Sequence, residues 1–145
     1  MTARNIAIAS DHAGFELKAQ IGAWLRDAGF EVLDLGCDGL QSVDYPDFAA
    51  AVAGAIADGR AERGVLICGS GIGISIAANR HPGIRAALVH DVTTARLARE
   101  HNDANVVALG ARIVGPEIAK DCVDVFLKTG FEGGERHSRR VAKLG

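Results

Sequence analysis

Aromatic residues are scarce in this 145-residue chain, at 5% of the sequence, although hydrophobic residues make up 48%. With few rings to fill it, the core must be built from Ala, Val, Ile and Leu, which suits helices packed closely over a sheet. No charge of one sign dominates, since 16 Lys and Arg stand against 18 Asp and Glu for a net of -2. A basic field for nucleic acid or an anionic membrane is therefore missing, and a small molecule or a protein is the expected partner. No apolar run approaches the roughly 18 residues of a membrane span. Nor does the N-terminus show a basic segment followed by an apolar one, so the expected location is the cytoplasm. The three cysteines, Cys37, Cys68 and Cys122, are odd in number and include no close pair. That argues against a disulfide framework, a structural zinc site and a Cys-x-x-Cys redox centre, and predicts reduced thiols. Internal repeats, linkers and low-complexity tracts are absent as well, so the chain reads as one domain over residues 1–145.

What is present is a regular alternation. Short apolar runs at 6–9, 32–35, 65–67, 86–89 and 106–109 are bounded by turn residues. Between them lie stretches of helical period, for example Phe15, Leu17, Ile21, Trp24 and Leu25, or Phe48, Val52, Ala55 and Ile56. Continuous apolar strands imply a parallel sheet buried on both faces, with right-handed crossovers placing helices on each side. The expectation is a doubly wound, Rossmann-like α/β fold of three layers, α/β/α, around a five-stranded parallel sheet. Ser10 or Asp11 is placed to cap the first helix and Gly29 to end it, Asp91 to cap the fourth, and Pro116 to open the last long one. Cys122 falls in the apolar pattern of that last helix and reads as core, and Cys37 as a loop thiol. The segment 130–145 turns polar and basic, a tail expected to lie across the surface or on a partner subunit.

Open parallel sheets bind ligands beyond the carboxyl ends of their strands. Polar clusters stand at Ser10-Asp11-His12, at Cys68-Gly69-Ser70-Gly71-Ile72-Gly73, at His90-Asp91 and at His101-Asn102-Asp103-Ala104-Asn105, and are expected to converge. The alternate glycines of the second cluster either make only a tight turn or let the backbone approach an anion at a helix start. A dinucleotide fingerprint would need its third glycine one residue later than Gly73, a Walker loop needs Gly-Lys-Ser or Gly-Lys-Thr, and a hydrolase elbow fails at Ala77. Cys68 ends the strand feeding this loop, where a helix start favours thiolate over thiol, and the position turns a small buried hydrophobe into a candidate base. His12 and His101 lie at element boundaries among polar neighbours. Arg136 and Arg140, four apart, share a face if the tail is helical and are placed to clamp a phosphate.

Taken in order, Ser10-Asp11-His12-Ala13-Gly14-Phe15 with Lys18, Asp44-Tyr45-Pro46, the stretch from Cys68 through Asn79, His101-Asn102-Asp103-Ala104-Asn105 and Gly133-Gly134 before Arg136-His137 carry a resemblance over nearly the whole chain. The sequence resembles the type B ribose-5-phosphate isomerases and the related galactose-6-phosphate and allose-6-phosphate isomerases. The resemblance implies a cofactor-free and metal-free aldose-ketose isomerisation through an enediolate. Cys68 matches the base; a glutamate that replaces it in some members would fall at Ile74, so this is the cysteine branch. Gly69, Ser70, Gly71, Ile72 and Gly73 match the enediolate cradle, with Ser70 assisting. His101 matches the ring-opening acid, with Asp11 near the sugar hydroxyls. Tyr45, Asn102 and Arg112 match further substrate contacts, and His12, Arg136 and Arg140 the phosphate ligands. The resemblance also implies a homodimer or a dimer of dimers whose sites are shared between chains, so that the tail need not fold against its own chain. One departure is Glu135, inserted between Gly134 and Arg136, which leaves Arg139 as an alternative to Arg140. A six-carbon sugar phosphate and a non-catalytic sugar-phosphate sensor remain as other readings.

Overall fold

The computed structural model describes residues 4–145. Five strands, β1 (Asn5–Ser10), β2 (Glu31–Asp34), β3 (Arg63–Cys68), β4 (Ala86–Leu88) and β5 (Val106–Gly110), form one parallel sheet in the order β2-β1-β3-β5-β4. The helices are α1 (Phe15–Asp27), α2 (Tyr45–Ala57), α3 (Ile72–Ala78), α4 (Val92–Asn102), α5 (Pro116–Lys128) and α6 (Gly134–Ala142). Each predicted strand is present within a residue or two, and the α/β/α layering is as expected.

Alternation along the strands sorts the core into two halves. Ile6, Ile8, Val65, Ile67, Val107 and Leu109 face α1, α4 and α5, whereas Ala7, Ala9, Leu66, Cys68, Val106 and Ala108 face α2 and α3. The second face is lined by small residues because its helices come close: a Cβ on Gly64 would stand 2.6 Å from Val52. This is how a chain poor in aromatics fills its interior. Among the described residues the only fully buried aromatic, Phe126, lies on the other face.

Boundary signals hold where side chains reach backbone donors. The Asp91 carboxylate accepts from the Thr94 backbone at 2.7 Å, and Thr94 holds that carboxyl below its usual range. Asp11 caps a short 3₁₀ turn, His12–Gly14, rather than α1 itself. Gly29, with φ 94°, follows α1, and Pro116 opens α5. The tail is helical and lies at the surface. It forms α6 and docks on α4 of its own chain, with no residue fully buried. Cys37 lies in a loop as expected but is buried, its thiol donating to the Gly39 carbonyl.

Cys122 is fully buried on α5, and that burial pushes its thiol up to about 11, with the Asp91 and Asp121 carboxylates adding to the rise. The native thiol thus holds its proton more tightly than the ordinary thiol at 9.0. Stability from this group is complete below about pH 9 and is lost as pH rises toward 11, on the order of 2 kcal/mol. Urea midpoints at pH 8 and pH 10.5 should show the fall, and Cys122→Ala, weaker at pH 8, should show a shallower one.

Candidate functional site

Cys68 closes β3 and the chain then turns through glycines whose conformations leave no room for side chains. Gly71 sits at φ 80°, and a Cβ there would lie 2.8 Å from the Leu109 carbonyl carbon. A Cβ on Gly110 would meet the Ser70 carbonyl oxygen at 2.5 Å. The loop therefore nests against the end of β5, and Ala111 and Arg112 donate their backbone N–H groups to the Cys68 and Gly69 carbonyls at 2.9 Å each.

This nesting aims donors at the sulfur and into the opening. The Gly71 N–H points at Cys68 Sγ at 3.2 Å, and the Ile72 N–H at Ser70 Oγ at 3.1 Å. Among the described residues, the N–H groups of Gly69, Ser70 and Gly73 donate to no other protein group. Within the loop Gly71 thus serves the sulfur and Ile72 the hydroxyl. Ile74, one turn into α3, is fully buried and faces the core rather than the opening.

Neighbouring segments close around the loop. The Asp11 N–H donates to the Ile67 carbonyl at 3.2 Å, and one carboxylate oxygen of Asp11 accepts from Ala13 and Gly14. Gly14 lies so close to Ile67 that a Cβ would approach it to 2.7 Å. His12 accepts the Val43 N–H on Nδ1 at 3.2 Å, which requires a neutral ring whose proton is on Nε2. Tyr45 stands over Gly73, and the Arg112 guanidinium over Gly69. Asp11, His12, Asp44 and Tyr45 line a cleft of about 650 Å³.

Two residues outside the sequence reading of the site hold this rim in place. Buried Lys18 contacts both oxygens of Asp34 at 2.8 Å, and Asp34 also accepts from Gly36, whose carbonyl takes the Ser10 N–H. The signal was an apolar helix face interrupted by a lysine. Removing Asp34 leaves the buried Lys18 ammonium uncompensated, whereas Asp34 itself reaches solvent.

The remaining predicted residues do not join this group within one chain, contrary to the expected convergence. The run 101–105 follows a helix, so it lies at the amino ends of β4 and β5: Asn105 pairs through its backbone with Arg85, just ahead of β4. The length of β5 separates it from Gly110 beside Cys68, about 13 Å along the strand. Buried Arg99 clamps the run, reaching the Asp103 carboxylate at 2.8 Å, the Ala104 carbonyl at 2.7 Å and the Thr129 carbonyl at 3.1 Å. Asp103 and Asn105 are thereby framing residues. His101 and Asn102 end α4 beside the tail.

There the His101 ring stacks on His137 at 4.6 Å, 9° from parallel, with a Glu132 oxygen 3.8 Å and 3.4 Å from the two Nε2 atoms. Arg139 pairs with Glu135 at 4.0 Å, whereas Arg136 and Arg140 have no acidic partner among the described residues. The inserted Glu135 thus engages Arg139 and leaves Arg140 available. Among the described residues, only His101, Glu132 and His137 bring three ligand atoms within 4.8 Å of one another. A tetrahedral ion needs lone pairs that converge at about 2.1 Å. Nearly parallel rings direct theirs side by side.

Residues 6–144 match the family model described as Ribose/Galactose Isomerase. The ribose-5-phosphate isomerase B of Escherichia coli is 49% identical over 141 residues, covering 97% of this chain and 94% of that one. The D-erythrulose-4-phosphate isomerase of Pectobacterium atrosepticum is 45% identical over 142 residues, covering 97% and 93%. Among solved structures, a ribose-5-phosphate isomerase B of Clostridium thermocellum superposes with a TM-score of 0.95 at 54% identity, covering 97% of this chain and 95% of that one. With family match, sequence identity and fold in agreement, the chain belongs to the ribose/galactose isomerase family, in its ribose-5-phosphate isomerase B branch.

Proposed function

We propose that this enzyme interconverts ribose 5-phosphate and ribulose 5-phosphate, with Cys68 as the base and His101 of a second copy as the ring-opening acid. Its membership makes it an aldose-ketose isomerase acting on a sugar phosphate. The observation that carries the finer reading is the Gly71 N–H aimed at Cys68 Sγ beside a cleft lined by Asp11 and His12.

The furanose opens as the C1–O4 bond breaks, the imidazole giving a proton to O4 while O1 loses its own. The Cys68 thiolate then takes the proton from C2 of the open aldehyde. The resulting charge on O1 meets the free N–H groups of Gly69, Ser70 and Gly73, where a good donor contributes about 3 kcal/mol. The proton returns at C1 and the O2 hydrogen passes to O1, with the Ser70 hydroxyl within reach of that exchange. Net, one hydrogen moves from C2 to C1 and another from O2 to O1. The His12 Nε2–H, fixed as a donor by Val43, binds phosphate together with Arg136 and Arg140. Arg112 and Tyr45 bound the sugar, and Asn102 arrives with His101.

Within a single chain His101, Asn102 and the tail arginines stand at the opposite sheet edge from Cys68. A symmetric pair of chains that sets one chain's amino edge against the other's carboxyl edge completes two equal sites. The tail from 130 to 145 then lies at that interface. The test is conversion of ribose 5-phosphate by purified protein, followed by the appearance of ribulose 5-phosphate, with allose 6-phosphate in parallel. Turnover of the pentose supports the reading; turnover of the hexose alone replaces it, and turnover of neither defeats it.

A further inference from the structure

We infer that Glu132 and His137 are positioning residues for His101, so that ring opening depends on a three-residue group built by the tail and not on one imidazole. The inference rests on the reading of His101 as the ring-opening acid.

His101 has no support of its own. It ends α4 with 42% of its side chain exposed, and an exposed side chain with free torsions loses conformational entropy when it is fixed. A proton donor must nonetheless be held within about 0.5 Å of its working position. The tail provides that restraint twice. The His137 ring, itself only 17% exposed, lies flat against His101, and the Glu132 carboxylate faces the Nε2 atoms of both rings. At these distances the carboxylate is an electrostatic neighbour of both rings and not a hydrogen-bond acceptor, and it favours the ring orientation that turns Nε2 toward it. With Nε2 of His101 facing Glu132, Nδ1 is the nitrogen with no partner among the described residues.

The backbone around the pair is arranged for this meeting. The Glu132 N–H donates to the Glu100 carbonyl at 3.1 Å, fastening the tail beside the residue that precedes His101. Gly133 and Gly134 then adopt φ 71° and 79°, a left-handed turn that side chains resist, and α6 folds back over the end of α4. His137 and Val141 are half-buried toward α4, while Arg136 and Arg140 stay exposed. The glycine pair thus places one helix that supports the acid with one face and presents cations with another.

The test separates ring opening from proton transfer in the same protein. Conversion of ribose 5-phosphate requires both steps. Ribulose 5-phosphate cannot close a furanose ring, because the oxygen that would close it carries the phosphate. Uptake of deuterium from heavy water at its C1 therefore reports the Cys68 step alone. His137→Ala and Glu132→Gln should each slow ribose 5-phosphate conversion about tenfold, the scale of losing a second-layer partner, and leave deuterium uptake within about twofold. His137→Phe, which keeps a ring to stack on, should recover part of the loss. Equal declines in both rates, or undiminished conversion, would overturn the inference, and retained uptake certifies that the fold survives. If His101→Asn itself converts ribose 5-phosphate at full rate, the reading of the acid fails instead, so the two failures are distinguishable.

Discussion

Cys68→Ala should lower isomerisation by about 10³-fold while leaving ribose 5-phosphate affinity nearly unchanged, since a positioned general base contributes about 10² to 10⁴. Cys68 is 5% exposed and belongs to the small-residue core facing α2 and α3. Removing one buried heavy atom there costs about 1 kcal/mol, too little to unfold the chain. The Gly71 N–H would lose its acceptor but points toward the opening, where solvent can replace it. Steady-state kinetics and calorimetric titration of the inactive variant with ribose 5-phosphate check the two halves. A variant that turns over normally would remove Cys68 from the chemistry.

Mixing two inactive chains should restore activity. His101→Asn removes the proposed acid and Cys68→Ala the proposed base, and each homogeneous assembly then lacks one of them in every site. When the chains are unfolded together and refolded, half of the symmetric pairs are mixed. Each mixed pair holds one site with both groups intact and one with neither, giving about a quarter of wild-type activity at equal ratio. If instead each site drew both residues from one chain, the mixture would remain as inactive as its parents. The experiment reads directly on the sheet-edge separation between the 101–105 run and Cys68.

The same separation shows where sequence reasoning reached and where it stopped. Apolar runs gave all five strands because strands buried on both faces leave little else to be. Asp91 and Pro116 worked as helix signals because their effects are local. The glycine loop was legible because only glycine tolerates such approach. Of the four polar clusters, three follow strands and one follows a helix. In a parallel sheet these lie on opposite edges, so chain order alone could have assigned His101 to the far one. The His101, Glu132 and His137 group was out of reach, since it joins side chains 31 and more positions apart through a docking that depends on Arg99 holding the end of α4. Arg99 and Lys18 share the reason for being missed: a buried cation reads in sequence as one more surface charge.

The location of Cys68 in the packed half of the core bears on how such enzymes change over time. Cys68 and Ile74, the position at which the resemblance sets a glutamate against the cysteine, belong to the same buried cluster beneath α2. They draw on one shared volume. A glutamate introduced at 74 with the thiol still present would have to bury a carboxylate in space that is already filled, and a lost thiol alone leaves no base. On the proposed reading of Cys68 as the base, exchanging one residue for the other therefore requires a paired change within one packed cluster.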